Sequence, residues 1–247
     1  NLIHEQNVVC GRANRLLLRF ADKIAVSFPE TSEYLERYRK KIVVTGNPMR
    51  KDLSRIDKNK ALDYFSFDKK KFTILVMGGS QGSHRVNTAF LKAVSKIPDK
   101  SRLQVIHLSG AEDYGSLKEA YKGLNINAEL FGFLASMQYA YSACDLVLSR
   151  AGATTISEII FYRLPAIIIP YPFAYQHQLD NAKILEKKGL AIIIQDEALD
   201  NIDGLKRALE GFVNDSDRIK MMRARYDSFP SVEAGNLLIN EALPLMQ

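Results

Sequence analysis

Residues 72–82 read FTILVMGGSQG, an apolar run that passes directly into a glycine-rich loop. Similar short runs, rich in β-branched residues, recur downstream and alternate with helical patterns, which is typical of the buried strands of a parallel sheet. The predicted strands are 72–77, 103–108, 128–131, 146–149, 166–170 and 191–194. The sequence therefore predicts a doubly wound α/β domain with helices on both faces of the sheet.

The residues before this domain show a second, shorter set of strand patterns. Predicted strands 24–27 and 42–45 enclose a polar helix at about 32–40, Leu2-Ile3 reads as the end of another strand, and Gly46-Asn47-Pro48 breaks the pattern. We predict four parts: 1–50, the remainder of an N-terminal domain; 51–71, a charged linker; 72–231, the main domain; and 232–247, a C-terminal helix that packs back on the first domain. Because the chain starts at Asn1 rather than Met, we expect a fragment that lacks its true N-terminus.

The composition is that of an ordinary globular protein. Of 247 residues, 47% are hydrophobic and 25% are charged, which excludes disorder and collagen-like repeats. No apolar run approaches the roughly 20 residues that span a bilayer. Two cysteines, Cys10 and Cys144, are too few for a disulfide framework, so we expect a reducing compartment.

Positive charge is concentrated in one segment. The net charge is +6, and residues 50–71 hold eight basic and four acidic residues. We interpret this segment first as a solvated linker, and the alternative is contact with anionic lipid headgroups or phosphates. Nucleic acid is not expected as a partner, because there is no regular basic helix face and no RNA or DNA motif.

Ligands of an open parallel sheet bind beyond the carboxyl ends of its strands, so the loops after the strands are the candidate sites. The first is Gly78-Gly79-Ser80-Gln81-Gly82. Glycines let backbone amides approach a phosphate closely, and the helix start that follows adds partial positive charge. The loop matches neither G-x-G-x-x-G nor a Walker A motif, so a dinucleotide or P-loop site is not supported. A tight turn without a ligand is the alternative.

The second loop, residues 149–155, opens a helix that contains Ser157 and Glu158. Its small residues leave amides exposed for an anion. A carboxylate one turn into this helix would repel a phosphate unless hydroxyl groups lay between them, so we interpret Glu158 as the acceptor of a ribose diol. The alternative is that Glu158 only complements the helix dipole, which contributes about 0.3–1 kcal/mol.

Three further loops carry weaker signals. Residues 170–178 combine prolines, aromatics and amides, which suits a sugar or else a rigid proline-shaped loop. Gly132-Phe133-Leu134 follows a strand and is suited to hold a base through its backbone. His4-Glu5-Gln6-Asn7 supplies a possible acid/base pair and two amides on the facing domain, or else a solvated loop. Arg50 is placed between the domains, where a guanidinium neutralises phosphate.

The remaining candidates are interpreted mainly as structural. His107 lies in a predicted strand and Cys144 ends an apolar helix, so both are expected in the core. Asp215-Ser216-Asp217 joins two helices and is expected to cap the second. His84, beside the glycine loop, is a lesser candidate for phosphate contact. Four scattered histidines and two distant cysteines lack ligand spacing, so no metal site is predicted.

Taken in order, these segments resemble the MurG-type enzymes, the UDP-N-acetylglucosamine:lipid-linked muramoyl-pentapeptide N-acetylglucosaminyltransferases. The resemblance covers essentially the whole chain. It is carried by four motifs: His4-Glu5-Gln6-Asn7, Thr45-Gly46-Asn47-Pro48-x-Arg50, Gly78-Gly79-Ser80-Gln81-Gly82 and Arg150-x-Gly152-Ala153-x-Thr155-x-Ser157-Glu158. It implies an α/β fold of the GT-B type, with two doubly wound, Rossmann-like domains of which the N-terminal one is incomplete, and makes 72–231 the UDP-sugar-binding domain.

The resemblance also implies a role for each matched residue. Ser80 and the amides after Gly152 would hold the diphosphate, Arg50 would neutralise it and Glu158 would take the ribose hydroxyls. The full donor-binding set would be Asn7, Arg50, Ser80, Gln81, Gly82, Leu134, Gly152, Ala153, Thr154, Thr155, Ser157, Glu158, His177 and Gln178. In this set Leu134 would contact uracil through its backbone and Gln178 the transferred sugar, while His177 stands where many relatives have glutamine. The catalytic candidates would be His4 and Glu5, on the acceptor side.

The implied reaction is an inverting, metal-independent transfer of N-acetylglucosamine to the muramoyl 4-hydroxyl of lipid I, which gives lipid II for peptidoglycan synthesis and needs no cofactor. The implied partners are UDP-N-acetylglucosamine, lipid I and the membrane surface, with a peripheral location on the cytoplasmic face of the bacterial inner membrane. The family's N-terminal glycine-rich loop, with its histidine, and its membrane-docking patch are not in this sequence. The alternatives are a UDP-N-acetylglucosamine 2-epimerase, for which a convincing set of extra carboxylates is not found, and a non-catalytic donor-binding fragment.

Overall fold

A computed structural model describes residues 1–173, 177–229 and 233–246. In this part of the chain the strands form two parallel sheets. The smaller sheet has the order β1-β2-β3, with β1 (Leu2–Glu5), β2 (Lys23–Val26) and β3 (Ile42–Val44). The larger has the order β6-β5-β4-β7-β8-β9, with β4 (Phe72–Met77), β5 (Leu103–Leu108), β6 (Asn127–Phe131), β7 (Leu146–Ser149), β8 (Ala166–Ile168) and β9 (Ala191–Ile193). The predicted doubly wound α/β architecture is confirmed.

Helices alternate with these strands. The first three are α1 (Arg12–Leu17), α2 (Thr31–Tyr34) and α3 (Lys58–Tyr64). Those around the larger sheet are α4 (His84–Ser95), α5 (Tyr114–Lys122), α6 (Met137–Ala143), α7 (Ala153–Tyr162), α8 (His177–Lys187), α9 (Asp203–Val213) and α10 (Ser216–Arg225), followed by α11 (Ala234–Ala242). The helix predicted at 32–40 is split into α2 and a 3-10 helix, Glu36–Lys41.

The larger sheet has a core on each face because successive side chains of a strand point to opposite sides. Along β4, Leu75 packs with residues of α6 and α7, whereas Ile74 and Val76 pack on the other face with α4 and α9. In α4, Phe90 is fully buried. Burial of one such side chain contributes about 1.5–3 kcal/mol.

The order of the larger sheet reverses between β4 and β7, which are neighbours with Met77 opposite Ser149. Strands β5 and β6 lie to one side of this pair, and β8 and β9 to the other. A crevice forms at such a switch point, beyond the carboxyl ends of the two strands. The two loops with the strongest sequence signals, after β4 and after β7, therefore flank one crevice.

The segment 51–71, predicted as a charged linker, is not a solvated connector along its whole length. It contains α3, and Ala61, Leu62, Phe65 and Phe67 are buried in the core under the larger sheet. Their apolar side chains form one buried face, while Lys60, Asp63 and Asp68 around them are exposed.

Residues just before α3 are bonded to helices of the larger sheet. The Tyr162 hydroxyl donates to the Ser54 carbonyl over 3.1 Å, and the Ile56 amide donates to Ser142 Oγ over 3.0 Å. Arg55 Nε donates to the Phe161 carbonyl over 2.9 Å. Three consecutive residues are thus fixed to the ends of α6 and α7.

Further features of the structure bear on the sequence predictions. Near the chain's end, Glu241 of α11 accepts a hydrogen bond from Lys23 of β2, which joins this helix to the smaller sheet. Cys10 and Cys144 are buried free thiols, and Asp215 caps α10 by accepting from the Arg218 amide over 2.8 Å. Across the described ranges, no helix has both the length and the apolar character needed to cross a membrane.

Candidate functional site

The glycine loop after β4 is pressed against the loop after β5. Gly82 has a φ of +81° and Gly110 a φ of +79°, a region that favours glycine. A Cβ atom on Gly82 would lie 2.1 Å from the Ser109 carbonyl oxygen, so no other residue fits without a backbone shift. Ser83 then caps α4, while Ser80 and Gln81 remain exposed at the crevice. The loop is therefore rigid at its base and open at its tip.

The loop after β7 ends in the start of α7. Gly152 is extended, with φ −61° and ψ 144°, and supplies no capping side chain. Within the described residues, no side chain accepts a hydrogen bond from the amides of Ala153, Thr154 or Thr155. The helix begins with donors directed at the crevice, the arrangement that binds anions at helix starts. The Ser157 hydroxyl, in contrast, donates to the Ala153 carbonyl over 2.9 Å.

Glu158 lies one turn into α7 and is held by a buried tyrosine. The Tyr141 hydroxyl donates to Glu158 Oε2 over 2.7 Å, and the Tyr141 ring stacks on Tyr162 with 4.9 Å between ring centroids. Burial raises the pKa of Glu158, while the bond from Tyr141 and the charge of Arg50 act in the opposite direction. The carboxylate is thus oriented before any ligand binds.

Arg150 ties several loops of the crevice together. It is 7% exposed, and its guanidinium donates to the carbonyls of Ile169 (3.2 Å) and Pro170 (3.3 Å) and to Ser83 Oγ (3.1 Å). It also pairs with the Asp196 carboxylate. Arg150 therefore fixes the loops after β7 and β8 to the start of α4. The sequence showed Arg150 in a motif but gave it no role.

Gln178, predicted to reach a sugar, is bonded to the loop backbone. Its Oε1 accepts from the amides of Ala151 (3.1 Å) and Tyr171 (2.9 Å), which places it at the carboxyl edge of β7 and β8. His177 is the first residue of α8. Residues 174–176 of the same predicted loop lie outside the described part of the chain.

Asn181 of α8 joins the two sheets. Its Oδ1 accepts from the Val8 amide over 3.0 Å, and its Nδ2 donates to Asn7 Oδ1 (3.0 Å) and to the Ala151 carbonyl (3.1 Å). Asn47 makes a second crossing contact, donating to Thr154 Oγ1 over 3.4 Å. Asn181 was missed by sequence reasoning, although a fully buried asparagine on the apolar face of a helix is a signal that it bonds to something specific.

His4 and Glu5 lie at the end of β1, but their surroundings differ. Glu5 is 2% exposed and accepts from the amides of Asn7 and Gly11, each over 2.9 Å, and from Asn14 Nδ2. Burial opposes its ionisation, yet these bonds together lower the pKa of Glu5. His4 Nε2 lies 3.2 Å from the Gly46 carbonyl oxygen. The contacts of Glu5 suit an ionised carboxylate that shapes its loop better than a group that exchanges protons, and leave His4 as the stronger acid/base candidate.

The predicted base and phosphate contacts, Leu134 and Arg50, meet at the loop after β6. Leu134 is 8% exposed, and Arg50 Nη2 donates to the adjacent Ala135 carbonyl over 3.3 Å. The charge of Arg50 also acts on Glu158.

Three groups lie outside this constellation. His84 bonds Asp113 over 2.8 Å on the outer surface of α4. His107 is fully buried, as predicted, and burial lowers its pKa to about 3. Cys144 is also in the core, where burial raises its pKa to about 12. The described residues contain no group of three or more histidine, cysteine or acidic side chains placed to hold a metal ion.

Comparison with known proteins places this geometry in a family. Residues 73–235 match the model of the glycosyltransferase family 28 C-terminal domain. The chain belongs to glycosyltransferase family 28. The match starts within β4 and extends into α11, so it includes both loops of the switch point.

Curated relatives of this family 28 chain carry one shared description. A protein of Halothermothrix orenii is 40% identical over 249 residues, covering 97% of this chain and 66% of its own length. One of Thermodesulfovibrio yellowstonii is 37% identical, covering 100% and 67%. Both are called UDP-N-acetylglucosamine--N-acetylmuramyl-(pentapeptide) pyrophosphoryl-undecaprenol N-acetylglucosamine transferase. The chain spans about two thirds of the length of these relatives.

Solved structures agree with the fold. The crystal structure of Acinetobacter baumannii MurG matches with a TM-score of 0.77 and 27% identity, covering 97% of this chain and 66% of that one. The Staphylococcus aureus MnaA-UDP co-structure matches with a TM-score of 0.67 at 14% identity, which shows the fold alone. The predicted GT-B type of fold and the resemblance to MurG-type proteins are confirmed.

Proposed function

We propose that this chain carries the donor site of a MurG-type hexosyltransferase, which moves N-acetylglucosamine from UDP-N-acetylglucosamine to the muramoyl 4-hydroxyl of lipid I and gives lipid II. One observation carries the proposal. The uncapped start of α7 lies at the switch point, and Glu158 is held one turn further in by Tyr141. An anion site followed by an oriented carboxylate suits the diphosphate and ribose of a nucleotide.

In this proposal the donor lies along the crevice. Its diphosphate takes hydrogen bonds from the amides at Thr154 and Thr155 and from the exposed tip of the glycine loop. The ribose diol donates to Glu158, and uracil lies against the backbone at Leu134. The transferred sugar extends toward His177 and Gln178, with Asn7 reaching it from the smaller sheet. Arg50 is the cation assigned to the nucleotide, because its charge already acts on Glu158.

The reaction is an inverting displacement. A base takes the proton of the muramoyl 4-hydroxyl, its oxygen bonds to the anomeric carbon of the donor, and the bond from that carbon to the diphosphate oxygen breaks as UDP leaves. Negative charge grows on the leaving diphosphate, where the amides of α7 and Arg50 stabilise it. His4 is the candidate base in this chain, since its ring lies 3.2 Å from the Gly46 carbonyl oxygen, next in sequence to Asn47, which bonds Thr154 across the crevice.

The wider setting follows from the same assignment. The acceptor is lipid-linked, so the active protein works at a membrane surface, and we propose a peripheral location on the cytoplasmic face of the bacterial inner membrane. The name of the relatives, which includes a pyrophosphoryl-undecaprenol acceptor, supports this part.

The proposal is tested first by calorimetry of UDP binding. Glu158→Ala removes the charged acceptor of the ribose hydrogen bonds. Hydrogen bonds to a charged group contribute about 1.5–3 kcal/mol, so we expect about ten- to a hundredfold weaker UDP binding. Glu119→Ala, on the exposed surface of α5, is the matched control. Unchanged affinity in Glu158→Ala would remove the ribose assignment.

The reaction itself is tested by UDP release with a lipid I acceptor. It is measured for this chain and for a longer version that supplies the remaining third of the relatives' length. Release that depends on the acceptor supports the transferase. Conversion of the donor sugar without any acceptor would instead indicate an epimerase, and tight donor binding without turnover in both proteins would indicate a binding fragment.

A further inference from the structure

A cavity lies at the amino ends of the strands of the larger sheet, opposite the donor crevice at their carboxyl ends. It has a volume of about 410 Å³ and is lined by Arg55, Lys58, Tyr162, Arg163, Leu164 and Arg223, among others. Arg163 and Leu164 precede β8, and Cys144, also in the lining, precedes β7, so the cavity lies at the amino ends of these strands. Its volume is in the range of small-molecule sites.

The cavity carries excess positive charge. Four cationic side chains line it, and two carboxylates accompany them. Asp145 pairs with both Lys58 and Arg223, and Asp227 pairs with Arg163 at 2.7 Å. Among the described residues, Arg55 forms no ion pair; its partners are the Phe161 carbonyl and the Phe161 ring. Burial and the nearby charge of Arg163 both lower the pKa of Arg55, as expected for two guanidinium groups without an anion between them.

We propose that this cavity binds a phosphate or diphosphate group, held between the guanidinium groups of Arg55 and Arg163. Arginine presents planar, paired donors that match phosphate oxygens. Ile56, Tyr162 and Leu164 form an apolar part of the lining, against which the uncharged part of the phosphate-bearing molecule would pack. Arg55 and Lys58 belong to the basic segment 50–71, so the site gives a use to basic residues of that segment other than Arg50, which is assigned to the donor crevice.

The cavity and the donor crevice share one residue. Tyr141 lines the cavity, and its hydroxyl is bonded to Glu158. Because pyrophosphate is also expected to enter the donor crevice, the measurement must resolve the two places. Backbone amide NMR shifts do so: Ser142, Arg163 and Asp227 report on the cavity, and Gly79 and Thr154 on the crevice.

The first experiment titrates inorganic pyrophosphate into the chain, with and without saturating UDP. We expect shifts at the cavity amides that persist when UDP is present. Arg55→Gln with Arg163→Gln should weaken this binding about tenfold or more, whereas Arg102→Gln, an exposed arginine elsewhere, should leave it unchanged. Shifts confined to the crevice amides, or no shifts at all, would overturn the site. Because the crevice amides are read separately, this result does not depend on whether UDP binds.

A gain-of-binding variant guards against misfolding of the double variant. Asp227→Asn removes an exposed carboxylate that competes for Arg163, so pyrophosphate should bind about two- to fivefold more tightly. Unchanged or weaker binding in this variant would contradict the proposal.

A second experiment identifies the source of the phosphate. Flotation is measured with vesicles of phosphatidylglycerol and phosphatidylcholine, and with vesicles of phosphatidylcholine alone. Binding to the anionic vesicles that the arginine double variant loses and pyrophosphate competes away assigns the site to a lipid headgroup. Pyrophosphate binding without vesicle binding assigns it to a soluble phosphate compound. Vesicle binding that the double variant retains, together with no pyrophosphate shifts in the cavity, would overturn the site.

Discussion

The hydroxyl of Tyr141 donates a 2.7 Å hydrogen bond to the carboxylate of Glu158. Tyr141 is fully buried, and its pKa is raised well above the usual value, first by burial and then by the neighbouring charge of Glu158. The tyrosine therefore keeps its proton at neutral pH and remains a donor. This bond holds one oxygen of the Glu158 carboxylate in place, so the orientation of the carboxylate is fixed before a ligand binds.

Tyr141→Phe should weaken UDP binding about three- to tenfold, because an orienting hydrogen bond to a charged group is lost while the ring and its packing remain. Tyr162→Phe is the matched control, since it loses the bond to Ser54 but none to Glu158. Calorimetry on both variants measures the effect. Equal affinities in Tyr141→Phe and the unaltered chain would show that Glu158 needs no orientation.

Donor affinity should also depend on pH through Glu158. The ribose diol donates to the ionised carboxylate, and burial raises the pKa of Glu158. Donor affinity is therefore full above this raised pKa and falls as the pH drops through it. The decline begins at a higher pH than it would for an ordinary glutamate, whose pKa is about 4.3. UDP-N-acetylglucosamine is the ligand of choice, since each of its phosphates is linked through two oxygens and therefore does not titrate in this pH range. Glu158→Gln should bind weakly with no such decline; a parallel decline in that variant would assign the titration elsewhere.

Gly82→Ala should disrupt the glycine loop. Its Cβ would lie 2.1 Å from the Ser109 carbonyl oxygen, and φ is +81°. We expect a loss of about 2–4 kcal/mol in the free energy of unfolding, together with weaker UDP binding. Gly115→Ala is the control: it lies in α5 with nothing within 4 Å of the added Cβ, so stability should rise by up to about 1 kcal/mol. Urea unfolding distinguishes the two, and a neutral Gly82→Ala would mean that the loop can move apart.

Asn181→Ala should loosen the contact between the two sheets. It leaves the Val8 amide and the Ala151 carbonyl without their partner in buried surroundings, which costs about 2–4 kcal/mol in the free energy of unfolding. The exposed Asn59→Ala provides the comparison. Similar unfolding midpoints for the two variants would show that the crossing bonds add no stability.

The stability of the protein should fall in mild acid because of His107. This histidine bonds Asn87 Oδ1 at 3.0 Å and the Tyr121 hydroxyl at 2.8 Å, and burial lowers its pKa to about 3. Since the pKa in the unfolded chain is about 6.5, the unfolded state binds the extra proton. The stabilisation is full above about pH 6.5 and is lost toward lower pH. The loss in the free energy of unfolding reaches about 2 kcal/mol by about pH 5.

The variant His107→Gln removes this titration. Its free energy of unfolding should decline less steeply between about pH 6.5 and about pH 5 than that of the unaltered chain, whatever its absolute stability. Urea unfolding at several pH values gives the slopes. Identical slopes would place the acid sensitivity on other groups.

Much of the fold could be predicted because its strands are buried on both faces and therefore read as continuous apolar runs. The candidate loops followed from the rule that ligands bind beyond the carboxyl ends of parallel strands, and Glu158 from its place in the helix that opens after one of them. The switch point between β4 and β7 came from the structure, because the sequence does not give the order of strands in the sheet. The helix α3 could not be predicted so readily, because Ala61 and Leu62 lie in a segment rich in lysine and aspartate. These two residues are buried only because α3 contacts α6.

The contacts that orient the candidate site were less accessible. Tyr141 and Glu158 are 17 residues apart, and Asn181 meets Val8 across 173 residues. Periodicity gives the face of a helix on which a residue lies but not which distant loop it meets. The roles assigned to the other donor-binding residues, including His177 and Gln178, stay predictions.

The bonds from Ser54, Arg55 and Ile56 to the helices of the larger sheet leave little chain in which the smaller sheet could pivot. On this side the joint is the stretch from Gly46 to Asp52, and Gly46 has a φ of +79° at its first turn. If the smaller sheet moves relative to the larger one, it therefore rotates about this short stretch and does not shift as a freely linked domain. Residues beside such a pivot would move least, and His4 is one of them, because its ring lies 3.2 Å from the Gly46 carbonyl oxygen.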